Sequence, residues 1–167
     1  MATVVSVTNA LSKANFVKAT DQRNMPSHEV HRLFGYTAEQ LFDLVADVDR
    51  YPEFLPWWKE AKSRDRDGDI YYTDQVVGFG PIRERFCSKT VLKRPERIDV
   101  TSSDRPFRHF HLVWQFSPVS AKGCRVVLKT DLEFRSRALQ DLFGWSLAGE
   151  TRRIIAAFQS RAEQFYG

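Results

Sequence analysis

No run in these 167 residues approaches the ~18 consecutive apolar side chains of a membrane-spanning helix, so any membrane contact is expected to be peripheral. Cysteine is nearly absent. Cys87 and Cys124 have no CxxC spacing, which argues against a thiolate zinc site and a disulfide-dense secreted framework, and for a reducing intracellular compartment. His109 and His111 fall on one strand face at a spacing compatible with metal ligation, yet no carboxylate or third histidine stands at a diagnostic offset. Two surface imidazoles are expected there, and no metal site is assigned. Spacing places no histidine or acid beside Cys87, so no catalytic residue is assigned either.

Acidic residues are missing before Asp21. Residues 1–24 carry Lys13, Lys18 and Arg23 against Asp21, half of the net charge of +4, which leaves the chain from Met25 onward nearly neutral. Near neutrality argues against strong RNA binding and gives no reason to expect DNA as a partner. The same 24 residues lack firm periodicity and precede Met25-Pro-Ser, which itself resembles a start. They are read as an N-terminal extension outside the fold, either a basic targeting presequence or the product of an upstream start codon, with residues 25–167 forming one domain.

Aromatic side chains, by contrast, are abundant. They make up 13% of the chain, with Phe alone at 13 residues, against hydrophobic and charged fractions of 43% and 28% that are ordinary for a soluble globular protein. These rings need a place in the fold.

Alternation predicts a first strand over His28–Tyr36. Thr37 with Gln40 three residues on forms a capping box, Tyr36 is placed to staple against Leu41, and Leu41, Leu44, Val45 and Val48 give an apolar helical face. The segment Tyr51–Trp58 holds two prolines and predicts only a short second helix or turn. Six strands separated by turn residues follow: Lys59–Arg66, Ile70–Phe79, Ile82–Leu92, Arg97–Ser103, Phe107–Phe116 and Arg125–Phe134. After Ser136 the period changes to 3.6 and persists through Leu139, Leu142, Phe143, Leu147, Ile154, Ile155, Phe158, Ala162 and Phe165, interrupted by Gly144 and Gly149. This predicts a helix about 40 Å long.

The result is an α+β fold in which only the last helix is long enough to cover the apolar sheet face. A curved sheet and a straight helix leave space between them. Either large side chains fill it, as a plain core, or an apolar guest does.

Several segments carry a family resemblance. Leu41-Phe-Asp-Leu-Val-Ala-Asp-Val48, Tyr51-Pro-Glu-Phe-Leu-Pro-Trp57, Val77-Gly-Phe79, Ile82-Arg-Glu-Arg-Phe86, Trp114-Gln-Phe116, Phe134-Arg-Ser136 and Leu142-Phe-Gly144, with Ala156-Ala-Phe158, Arg161-Ala162 and Tyr166-Gly167 at the end, resemble the coenzyme Q-binding START-domain family over about residues 26–167. The resemblance implies a helix-grip fold like that of the birch pollen allergen and the polyketide cyclases: a seven-stranded curved antiparallel sheet wrapped around a long C-terminal helix, with two short helices after the first strand. It implies a tunnel for ubiquinone or a similar polyprenyl lipid, carried as a bound ligand with no catalytic cofactor, in support of respiration and quinone biosynthesis. Trp58 departs from the pattern, since cysteine is common at that position in the family; its bulk is expected to narrow the pocket mouth.

The candidate ligand-binding residues are Phe79, Ile82, Phe86, Phe110, Leu112, Trp114, Val126, Leu128, Phe143, Leu147, Ile154 and Phe158. Phe54, Leu55, Trp57 and Trp58 are the candidate pocket mouth, suited to dipping into a membrane interface or, more simply, to packing on the sheet edge. Arg83, Arg85 and Lys89 share one strand face, expected to be solvated and able to meet anionic headgroups or ribosomal RNA. A ribosome-binding module of the ribosome-association-toxin type is therefore the alternative to a lipid carrier. The expected location is the cytoplasm, peripheral to the inner membrane, in a bacterium, or the mitochondrial inner-membrane side if residues 1–24 are a presequence.

Overall fold

The computed structural model of the protein describes residues 27–144 and 147–167, without side-chain placement for Phe79, Leu142 and Phe143. The reading of residues 1–24 lies outside the described residues. In chain order come β1 (Ser27–Phe34), α1 (Ala38–Ala46), a 3₁₀ helix (Val48–Glu53), β2 (Trp58–Asp67), β3 (Ile70–Phe79), β4 (Ile82–Lys93), β5 (Arg97–Thr101), β6 (Phe107–Ser120), β7 (Gly123–Phe134), α2 (Arg137–Gly144) and α3 (Leu147–Tyr166). The seven strands form one antiparallel sheet in the order β1-β7-β6-β5-β4-β3-β2, so the meander β2 to β7 is flanked by β1, which returns to pair with β7. This is the helix-grip architecture.

Local chemistry explains the elements. Thr37 Oγ1 accepts from the Gln40 N–H at 3.2 Å while Gln40 Oε1 accepts from the Thr37 N–H at 3.0 Å, closing both ends of the capping box that starts α1. Tyr36 packs on the core that contains Leu41, and its ring also meets Tyr166 at 5.7 Å. The second short helix begins earlier than expected, at Val48, and ends at Glu53. It is held by the Tyr51 hydroxyl, which donates to the Val45 carbonyl at 2.5 Å, while Pro52 inside it offers no N–H to prolong it.

Many strand ends shift by one or two residues from the sequence reading, and one differs by more. β6 runs on to Ser120, pairing Pro118 with Cys124; residues 117–120 are exposed on both faces, so no alternation marked them as strand. The C-terminal helical pattern is found as α2 up to Gly144 and α3 from Leu147 onward, and the 20 residues of α3 alone span about 30 Å. No helix among the described residues is long and apolar enough to cross a membrane.

α1 closes one end of the grip. Its buried Ala38, Leu41, Phe42 and Val45 join Phe116, Cys124, Val126 and Leu128 of the sheet and Ile155, Phe158 and Ala162 of α3 in one cluster. Phe86, Phe107 and Phe110 form a second cluster toward the other end of the sheet. The space between α3 and the sheet lies between these two.

Candidate functional site: two chambers under the C-terminal helix

Side chains of alternate parity along β3, β4, β6 and β7 point to the concave face, where α3 covers them. They leave an outer chamber of about 110 Å³. Phe86, Phe107, Phe110 and Phe134 wall it, with ring centroids 4.6–5.5 Å apart in tilted and edge contacts. Val77, Leu112, Leu132, Leu147 and Ile154 complete the apolar lining, and Trp57 and Trp58 border it from the start of β2. Polar side chains here are few: Glu84 borders the chamber from β4, and Thr130, Thr151 and Glu150 are engaged. Thr130 and Thr151 face each other at 3.1 Å, Thr151 donates to the Leu147 carbonyl at 2.7 Å, and Glu150 accepts from Arg153 at 3.3 Å.

A second, inner chamber of about 40 Å³ lies deeper, toward α1. Trp58, Phe110, Leu112 and Ile154 line both chambers and so form the partition between them. The inner lining is mixed: Trp114, Leu128, Ile98 and Phe158 on one side, and Tyr51, Tyr71, Gln75, Ser88 and Thr90 on the other. Tyr71 donates to the Ala46 carbonyl at 2.9 Å. Burial pushes both the Tyr51 and the Tyr71 phenol above the usual tyrosine range, so both stay protonated at neutral pH. No side chain lining this chamber carries a charge. Both chambers are well below the roughly 300–1,000 Å³ of small-molecule sites, so a bulky occupant requires the aromatic wall or α3 to yield.

The sequence candidates separate into groups. Phe86, Leu147 and Trp57 line the outer chamber, Trp114, Leu128 and Phe158 the inner, and Phe110, Leu112, Ile154 and Trp58 both. Ile82 and Val126 line neither; Val126 is buried against α1, because β7 continues under that helix beyond the chambers. Phe54 and Leu55 are not at the mouth. Leu55 is buried in the main core, and Phe54 packs on Phe158 at 5.0 Å with the Arg161 guanidinium 5.2 Å from its ring. The side chains of Phe79 and Phe143 lie outside those described. The polar group Gln75, Ser88 and Thr90 was missed, because in β3 and β4 both parities carry polar residues and alternation gives no inward face.

On the convex face Arg83, Arg85 and Lys89 are exposed, but acids interrupt the stripe: Arg85 is 3.7 Å from Glu60, and Arg64 grips Asp74 at 2.8 and 3.3 Å. His111 Nε2 lies 3.0 Å from Asp99 Oδ1. Among the described residues no three His, Cys, Asp or Glu side chains are grouped to hold a metal. Cys87 does have acid neighbours: Asp104 accepts from its backbone N–H at 2.8 Å and Asp74 is close. Burial pushes its thiol up, away from the thiolate that a nucleophile requires.

Comparison with known proteins matches this architecture. Residues 34–159 fit the profile of the family described as polyketide cyclase/dehydrase and lipid transport. The ribosome association toxin RatA of Pseudomonas aeruginosa is 32% identical over 135 residues, covering 81% of this chain and 94% of the toxin. The mitochondrial coenzyme Q-binding protein COQ10 homolog B of Xenopus laevis is 29% identical over 140 residues, covering 81% of this chain and 57% of that protein. Among solved structures, the Zhui aromatase/cyclase of Streptomyces sp. R1128 superposes with a TM-score of 0.77 over 86% of this chain and 96% of its own, at 14% identity, a likeness of fold alone.

Proposed function

The chain belongs to the polyketide cyclase/dehydrase and lipid transport family, and on that premise we propose that it is a non-catalytic carrier that binds a prenylquinone such as ubiquinone, or a similar polyprenyl lipid, between the sheet and α3. The observation that carries this reading is the outer chamber, walled by four phenylalanine rings and aliphatic side chains while its threonine hydroxyls are paired with each other. Such a surface rewards hydrocarbon. At about 0.8 kcal/mol per buried carbon, each five-carbon isoprenoid unit contributes about 4 kcal/mol, enough to offset the displacement of wall side chains. The similarity to a coenzyme Q-binding protein supports the quinone as occupant. Entry past Trp57 and Trp58 brings the protein to a membrane surface while it loads.

Organic extraction of the purified protein followed by mass spectrometry, beside a mock purification, tests the proposal: a prenylquinone at a substantial molar fraction is expected. Leu147→Arg sets a charge into the apolar chamber and is expected to abolish lipid retention while the protein stays folded. An empty wild-type protein that also refuses added quinone overturns the carrier reading.

A second reading, ribosome association, is favoured by the match that spans 94% of a ribosome association toxin. Cosedimentation with ribosomes that weakens steeply with salt, in a protein that takes up no lipid, is the result that selects it.

A further inference from the structure

The partition residue Trp58 fixes a hydrogen-bond direction through the inner chamber. An indole N–H can only donate, so the Gln75 side-chain atom 2.6 Å from Trp58 Nε1 must be the amide oxygen. The Gln75 amide nitrogen then faces Ser88, whose hydroxyl oxygen accepts from it at 2.7 Å. Two protons are left over: the second N–H of Gln75 and the O–H of Ser88 have no acceptor among the described residues. Gln75 is 4% exposed and Ser88 1%, so these donors are out of bulk water, and both line the inner chamber. Buried donors without acceptors are costly, roughly 1–3 kcal/mol each, which makes them receptive to an acceptor that arrives with a ligand.

The same chamber has no cation to balance an anion, and a carboxylate or phosphate there would face the desolvation of a buried charge. An uncharged carbonyl oxygen accepts two hydrogen bonds and brings no charge. We propose that the inner chamber is a head-group subsite for the neutral, carbonyl-bearing end of the ligand, with Gln75 and Ser88 as its donors and Trp58 as the partition between head and hydrocarbon tail. The proposal rests on the carrier reading and adds the depth and polarity of the bound ligand: head innermost, tail in the phenylalanine-walled chamber. At about 40 Å³ the inner chamber admits a ring only when Trp58 swings from the partition, so the Trp58–Gln75 bond is the latch that head entry must break.

Three probes test this with the full-length protein: a short-tailed ubiquinone, an isoprenoid hydrocarbon of equal tail length without oxygen, and a fatty acid of similar length. The quinone is expected to bind at least tenfold more tightly than the hydrocarbon, and the fatty acid not to compete at neutral pH. In the infrared spectrum the bound quinone's carbonyl stretch is expected to fall below its position in an alkane solvent. Ser88→Ala removes one donor together with the oxygen that accepts from Gln75; it is expected to reverse much of that shift and to weaken quinone binding about tenfold, with hydrocarbon binding unchanged. An unshifted carbonyl band in the wild type, which needs no variant, overturns the subsite and leaves the carrier reading intact. Equal effects of Ser88→Ala on quinone and hydrocarbon, or full competition by the fatty acid, overturn it in the same way. If neither quinone nor hydrocarbon binds, the carrier reading fails and takes the subsite with it.

Discussion

Asp99 on β5 is gripped from two sides, by Arg97 through its Nε and Nη2 at 2.5 and 2.8 Å and by His111 on the neighbouring strand at 3.0 Å. The Arg97 guanidinium above all, with help from His111, holds the Asp99 carboxyl below the usual carboxylate range. A lowered folded-state pKa means that the group stabilises the fold above the ordinary carboxylate range and loses that contribution as pH falls through the lowered value. Asp99→Asn is therefore expected to cost about 0.5–1 kcal/mol at neutral pH, with melting curves of the two proteins converging in acid; a difference independent of pH refutes the assignment. Sequence reading singled out His111 and not its partner, because partners across a ladder depend on register. The same limit hid Gln75 and Ser88, which meet across the sheet from β3 and β4. Phe110, Leu112, Trp114 and Ile154, whose inward parity is set by strong alternation or helical period, were legible without any structure.

Among the elements, α1 is the one whose start is written most plainly in the chain. Thr37→Ala removes the hydroxyl that accepts from Gln40 and is expected to lower stability by about 1 kcal/mol, measured by chemical denaturation, with ligand binding unchanged because neither residue lines a chamber. A loss of binding equal to the loss of stability would show that α1 shapes the chambers. The strands of the meander were also legible, since Asp67-Gly68 and Gly80-Pro81 punctuate them and Gly68 and Gly80 adopt positive φ at those turns. What the sequence did not reveal is where period alone is silent. The exposed tail of β6 is strand only because β7 lies opposite it.

At the scale of the whole molecule, two small chambers under a helix tie ligand to stability. A ligand that fills the space between α3 and the sheet binds the folded chain alone, so saturation at a hundred times Kd is expected to raise stability by about 2.7 kcal/mol and to move Tm upward, with a smaller shift for Leu147→Arg. An unchanged Tm under quinone, with binding shown independently, places the ligand on the surface and not beneath α3. The sheet order has a further consequence for how such a protein comes into being. β1 and β2 are close in sequence yet occupy opposite edges, and β1 pairs only with β7, roughly a hundred residues downstream. Translation delivers the first strand long before its partner exists. A nascent chain consequently cannot close its sheet until β7 is made, nor cover the chambers until α3 follows, so on the carrier reading lipid is expected to be taken up only by finished molecules.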